Sequence, residues 1–414
     1  MNAISSFFKT EIEYFQRLTI DGQKLISSIA LYNIASPLFQ IFLNAFLWRE
    51  SHDLKIVTLY NIAFRLGIPI GFYFAGLLLK KYRPSSLYLL SCLALGITAS
   101  LLIFFSTITF ISVSLFGILF GIGFGLFWAS RNLLTLRFVD SEHRIYFASL
   151  ESSSNTVLGI FVPILIGWFI TLGGDGGLYT SIQAYQVISL LMLVILFISG
   201  TVIKSSSVTN VEVNHIFLKK SDEVWKKYRV FAFINGLLDG MIGGFLPTLM
   251  VLTFIGQENA LGTIQSLTAL IAVIITYNIG KKIATHKRLP LMVISILFLI
   301  AGSLGFSILY SALGVIFFLT LLSVANPLYW VSASSLNYDL IERENREGHH
   351  YSYIFDQELF VSAGRVFSTM VFFLFLILLP SGFALRFSML LFATSQVLLL
   401  LLAKIIERKI KVNN

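Results

Sequence analysis

The sequence predicts an all-α polytopic membrane protein, with twelve transmembrane helices arranged as two pseudo-symmetric six-helix bundles. Three observations carry that expectation. Of the 414 residues, 56% are hydrophobic and 12% charged, with a mean hydropathy of +0.83, well outside soluble composition. Runs such as Leu87–Thr109 and Phe383–Ala403 hold roughly 20 mostly apolar residues each, enough to cross about 30 Å of hydrocarbon as a helix. The runs are continuous rather than alternating, which points to helices and away from a barrel. The third observation is a repeat. Trp128 and Ser130 match Trp330 and Ser332 at an offset of 202, and Tyr146, Glu151 and Gly159 match Tyr351, Asp356 and Gly364 at 205. The three-residue difference, 205 − 202, falls in a polar turn, where an insertion costs little.

Taken in order, the first six spans are 25–48, 55–79, 86–108, 110–137, 146–172 and 179–203. The first carries Asn33, the second Arg65, and the third the single Cys92 inside its apolar run. The fourth ends on Trp128, Ser130 and Arg131, and the fifth opens with Glu151. The second six are 230–255, 261–280, 290–310, 313–339, 351–380 and 383–404. Asn235 and Asp239 lie in the seventh, Tyr329 and Trp330 in the tenth, and Asp356, Glu358 and Arg365 in the eleventh. Asn33 and Asn235 are again 202 residues apart. The halves therefore divide as 1–203 and 230–414, joined by a polar, basic linker at 204–229. Within the linker, Phe217–Tyr228 reads as a short amphipathic helix at the membrane surface or as plain solvated chain.

Twenty-four of the 30 basic residues fall on the N-terminal segment, the linker, the C-terminal tail and alternate loops. By the positive-inside rule this places both termini in the cytoplasm of a cell membrane. Topology thus accounts for the net charge of +9, and no nucleic-acid partner is expected. The N-terminal segment is polar and amphipathic without a cleavage-type apolar core, and reads as retained cytoplasmic chain.

Twelve spans, the six-plus-six repeat, inside termini and a basic turn after spans two and eight together resemble the major facilitator superfamily of secondary transporters. The turn Gly76-Leu-Leu-Leu-Lys80-Lys81-Tyr82-Arg83 is similar to that family's Gly-x-x-x-Asp-Arg/Lys-x-Gly-Arg/Lys-Arg signature, with Lys80 in place of the acid and Arg83 in place of the second glycine. Gly280-Lys-Lys-Ile-Ala-Thr-His-Lys-Arg288 echoes it 204 residues on. In span five, Gly159–Gly167 is loosely similar to the proline–glycine run of the drug–proton antiporters. The resemblance implies two bundles rocking about a central site lined by helices one, four, seven and ten, with a proton as coupling ion and no required oligomeric partner. It tilts the expectation toward efflux.

No catalytic constellation is present. The six histidines, His52, His143, His215, His286, His349 and His350, sit in loops or span ends without carboxylate or cysteine partners at ligand spacing, so no metal or cofactor is expected. The Gly173–Gly177 turn lacks the lysine a nucleotide needs. What remains is charge and polarity at depth, a functional hypothesis by default. Burial disfavours the charged form of a carboxyl, so Asp239, beside Asn235, reads as the proton or substrate site, with Asn33 its counterpart in the first half. Arg365 binds an anionic group of the substrate, or pairs with Asp239 or with Glu358 seven residues back on nearly the same face. Arg65, with no acid one turn away, finds an amide, a carbonyl, water or a substrate anion. Glu151 with Arg131, and Asp356 with Glu358, are gating candidates; a pair snorkelling at headgroup level is the plainer reading of the first two. Trp128, Tyr329 and Trp330 line the cavity as stacking and cation–π surfaces, or belong to an interfacial belt. The expectation is a proton-coupled secondary active transporter for a small organic solute, with Asp239 or Glu151 as the proton carrier. A symporter for an anionic nutrient, a lipid flippase on the same scaffold and a non-transporting sensor are the rivals.

Overall fold

A computed structural model describes residues 15–412 apart from 17, 106, 140–143, 207–212, 214, 219–220, 244, 283–287 and 344–349. His143, His286 and His349 of the polar turns lie outside the described residues. The described chain is helical, and twelve helices are long and apolar enough to cross a membrane. They are α1 (Ile20–Ser51), α2 (Leu54–Leu78), α3 (Pro84–Phe104), α4 (Phe110–Phe138), α5 (Arg144–Asp175) and α6 (Ser181–Lys204). Then follow α7 (Glu223–Phe254), α8 (Glu258–Lys282), α9 (Arg288–Leu309), α10 (Ala312–Arg343), α11 (His350–Leu378) and α12 (Ser381–Lys409). The face at which α1 begins and α12 ends is called the near face below, and its opposite the far face.

Local chemistry sets the ends. Asp53 caps α2 by accepting from the Lys55 N–H, and Thr109 and Thr180 form reciprocal capping boxes with Ser112 and Gln183 at the starts of α4 and α6. Pro84 opens α3 at a position where a missing N–H costs nothing. Between α7 and α8, Gly256 takes φ of 92°, a backbone shape that favours glycine.

Two helices are broken midway. In α1, Pro37 leaves the Asn33 carbonyl without its donor four residues on. The Ser36 hydroxyl donates to that carbonyl at 3.2 Å, and a π turn at Leu38–Phe42 follows. In α7 the helix stops at Ile242, Gly243 leaves helical geometry with ψ of 59°, and the chain restarts at Leu246 with Pro247 in its first turn. The two breaks occupy matching places in the two halves. Their far segments, Leu43–Ser51 and Leu246–Phe254, pack on each other.

Across the halves, α2 packs on α11 and α5 on α8. Small residues permit the second seam: a Cβ built on Gly167 would stand 3.2 Å from Gly262 Cα, and one on Gly262 3.3 Å from Gly167 Cα. With lipid as apolar as leucine, such close backbone approach is what holds membrane helices together. The linker differs from expectation. Phe217–Tyr228 is not a separate surface helix, because α7 already begins at Glu223, with Trp225 and Tyr228 buried in its first turns. The preceding residues Val213 and Ile216 lie buried against α2 and α11.

The covering of α10 changes along its length. Leu319, Ser323, Asn326 and Trp330 fall on one helical stripe. The first two are buried, Asn326 is exposed and Trp330 is 68% exposed.

Candidate functional site

The site is a cluster of charge at the level of the α7 break. Asp239 sits in the last turn before the break, its carbonyl accepting from the Gly243 N–H at 3.1 Å. Across from it, Gly236 and Gly240 let α11 come close enough that a Cβ on Gly240 would stand 2.8 Å from Arg365 Cα. That approach brings the charges into contact. Arg365 Nε donates to Asp239 Oδ2 at 2.5 Å and its NH1 to Glu358 Oε1 at 2.5 Å. Ser362 donates to the same Glu358 oxygen at 3.0 Å. Asp239 is thus not a lone carboxyl, as its sequence surroundings suggest, but one arm of a carboxylate–guanidinium–carboxylate cluster, and its side chain remains 41% exposed. One turn back, Asn235 Oδ1 accepts from the Tyr329 hydroxyl of α10 at 2.6 Å.

Arg65 enters from the other half. It is buried, 3% exposed, and its NH1 donates to Asn61 Oδ1 at 3.3 Å. The guanidinium lies over the Phe245 ring, 5.6 Å from its centroid, directly after the α7 break. Asp239 and Arg365 are close enough for their charges to act on it. Behind Arg65 runs a polar ladder. Asn61 donates to Asn44 Oδ1 at 2.7 Å, and Asn44 donates to the Gln40 carbonyl inside the π turn at 3.1 Å. Asn33 is half-buried on α1 near the start of that distortion.

Two of the expected gates stay within one half. Arg131 pairs with Glu151 and lies over the Trp128 ring at 5.3 Å, but α4 and α5 both belong to the first six spans. Asp356 accepts from Arg229 Nε and NH2 at 2.7 and 2.8 Å and from Trp225 Nε1 at 2.8 Å, fastening α11 to α7 inside the second six. Each of these pairs joins helices within one set of six spans. Trp128 and Trp330, equivalent in the repeat, differ in setting: Trp128 is half-buried with a buried indole N–H lacking a partner, while Trp330 is exposed. Ser130 and Ser332 are alike, each fully buried and donating to the carbonyl four residues back at 2.8 Å.

A pair that does cross the halves lies at the far face. Arg49 at the end of α1 grips Glu258 at the start of α8 with two hydrogen bonds of 2.6 and 2.5 Å. Ser181 and Tyr185 of α6 attend it at 3.1 and 3.4 Å. Glu258 is 2% exposed. In sequence, Arg49 lies just beyond span one, on the side opposite the basic loops. The available signal was that this face is nearly free of basic residues, so an arginine there needs a reason. Among the described residues, no group of three or more His, Cys, Asp or Glu is placed to hold a metal ion.

Comparison with known proteins places these features. The family model of the Major Facilitator Superfamily matches residues 25–354. A protein of Bacillus subtilis (strain 168), described as uncharacterized protein YqgE, is 27% identical over 383 residues, covering 88% of this chain and 85% of its own. Among solved structures, a bacterial homologue of the iron transporter ferroportin in its inward-facing state superposes with a TM-score of 0.71 at 14% identity, over 93% of this chain and 98% of its own. A bacterial homologue of the human lysosomal transporter Spinster, inward-facing and occupied, gives 0.66 at 12% identity, over 94% and 96%. At these identities the likeness is one of fold.

Proposed function

The chain belongs to the Major Facilitator Superfamily, and from that premise we propose that it moves a small organic solute by alternating access, coupled to protons at Asp239, Arg365 and Glu358. A transporter rather than an enzyme follows from the family itself. The coupling rests on one observation: two carboxylates share one guanidinium at the level where α7 breaks, and one of them stays substantially exposed. Protonating either carboxylate releases part of the Arg365 grip, and that change is available to substrate and to helix movement alike. Among the described residues, Arg65 of α2 lies over Phe245 just beyond the break, and Tyr329 of α10 donates to Asn235 one turn from Asp239.

The distribution of basic residues makes the near face the cytoplasmic one. The expectation of efflux rested on Gly159–Gly167. Gly167 packs α5 on α8, a role that serves either direction, so direction is left to the proton gradient. In proteoliposomes with an imposed pH gradient, substrate-dependent proton flux should disappear in Asp239→Asn while substrate counterflow persists. Proton flux surviving that change would remove Asp239 from the coupling site, and lipid translocation without proton flux would favour a flippase.

A further inference from the structure

We infer that Arg65 is the anion-binding residue of the transport site, and that the cargo is a small, singly charged organic carboxylate carried in the same direction as the proton. The inference rests on the transport reading above and adds the substrate class and the coupling sense.

Five other arginines are paired with carboxylates, and Arg386 donates to the Ser307 and Ile308 carbonyls. Arg49 has Glu258, Arg131 has Glu151, Arg229 has Asp356, Arg288 has Glu407, and Arg365 has both Asp239 and Glu358. Arg65 is more buried than any of these, yet among the described residues no carboxylate lies within 4 Å of it. A guanidinium offers five N–H donors in a planar fork. Here it makes one long hydrogen bond, to Asn61, and rests on an aromatic face. Asn61 is held by donating to both Asn44 and the Val57 carbonyl, so the acceptor that orients Arg65 is itself fixed. A buried cation with most of its fork unused is costly to keep. It is also the arrangement that recognises a planar oxyanion.

Charge counting gives the coupling sense. Arg65 and Arg365 contribute two positive charges, and Asp239 and Glu358 two negative. The cluster is neutral while both carboxylates are ionised. Adding one proton to Asp239 or Glu358 leaves it at +1 and frees a donor of Arg365. One monovalent anion between Arg65 and Arg365 returns it to zero. Proton and anion therefore favour each other's binding and travel together, whereas a cation would compete with the proton for the carboxylates.

The test uses the full-length protein in phosphatidylcholine vesicles carrying an internal pH dye. The probes are two fractions of a small-molecule cell extract, one retained on an anion exchanger and one not. Added outside, the retained fraction should acidify the lumen beyond protein-free vesicles, and the flow-through should not. Arg65→Gln should lower that signal at least about tenfold, the scale of a lost charge-assisted hydrogen bond, and Arg65→Lys should lower it less. Both variants are first checked for monodispersity and thermal unfolding. If Arg65→Gln fails to fold, the Arg65→Lys variant and the two fractions still decide, because alkalinisation by the retained fraction, or a signal from the flow-through alone, overturns the inference. Undiminished flux in folded Arg65→Gln overturns it too. Flux with neither fraction removes the transport reading, and this inference with it.

Discussion

Buried arginines in this chain fall into two kinds, distinguished by what remains for a ligand once their partners are counted. Arg229 is spent: both carboxylate oxygens of Asp356 and the neighbouring Trp225 indole close the set. Such a staple belongs to stability. Asp356→Asn should therefore lower the unfolding free energy by about 3 kcal/mol, the scale for stranding one member of a buried pair, visible as a lower thermal midpoint in detergent. Proton flux per folded molecule should be unchanged, and a loss of flux at unaltered stability would place Asp356 in the transport site. Part of this scale was readable from the chain alone. Glu358 and Arg365, seven apart on one helix, share a face by periodicity. The pairing of Arg365 with Asp239 was one of the alternatives the chain offered, but the chain could not choose it, because it depends on how closely Gly236 and Gly240 let two distant segments approach. The repeat likewise pairs Trp128 with Trp330 but does not foretell that one is half-covered and the other open.

At the scale of elements, twelve apolar runs announced twelve helices, and their order followed from length and loop charge. The ends moved by several residues, most of all in α7, whose polar first turns look like linker by composition but bury Trp225 and Tyr228. The breaks in α1 and α7 escaped the reading, since hydropathy is blind to hydrogen-bond register. Pro37 was nevertheless in plain view, and its effect on the Asn33 carbonyl is what starts the π turn. That turn supplies the Gln40 carbonyl at the root of the ladder to Arg65. Pro37→Ala restores the missing donor and should regularise α1. Thermal stability should rise, by up to about 3 kcal/mol from the cost of an interior proline, while flux falls because the ladder shifts in register. Lower stability in this variant would show that the π turn is held by surrounding contacts and not by the proline.

For the whole molecule, the decisive contacts are those that join the halves, and no single-helix argument finds them. The α5–α8 seam and the packing of the far segments of α1 and α7 close the far face, and Arg49 with Glu258 is the charged element of that closure. Residues 209 apart in sequence meet there. Opening the far face separates them, so the pair stabilises one state of the cycle only, which is the condition for shifting a two-state equilibrium. A carboxylate 2% exposed that loses its guanidinium is left without compensation. Glu258→Gln removes the charge but keeps the shape, and should move the population toward the far-open state by about tenfold, or about 1.4 kcal/mol. A single cysteine placed on the far segment of α7 would report this as faster labelling by a membrane-impermeant thiol reagent, with Cys92 buried and silent. Arg49→Glu combined with Glu258→Arg should return labelling toward the starting rate, since attraction across the halves is restored while each single reversal places like charges together. Labelling that rises equally in the single and the swapped variants would mean that shape, not charge, closes this face.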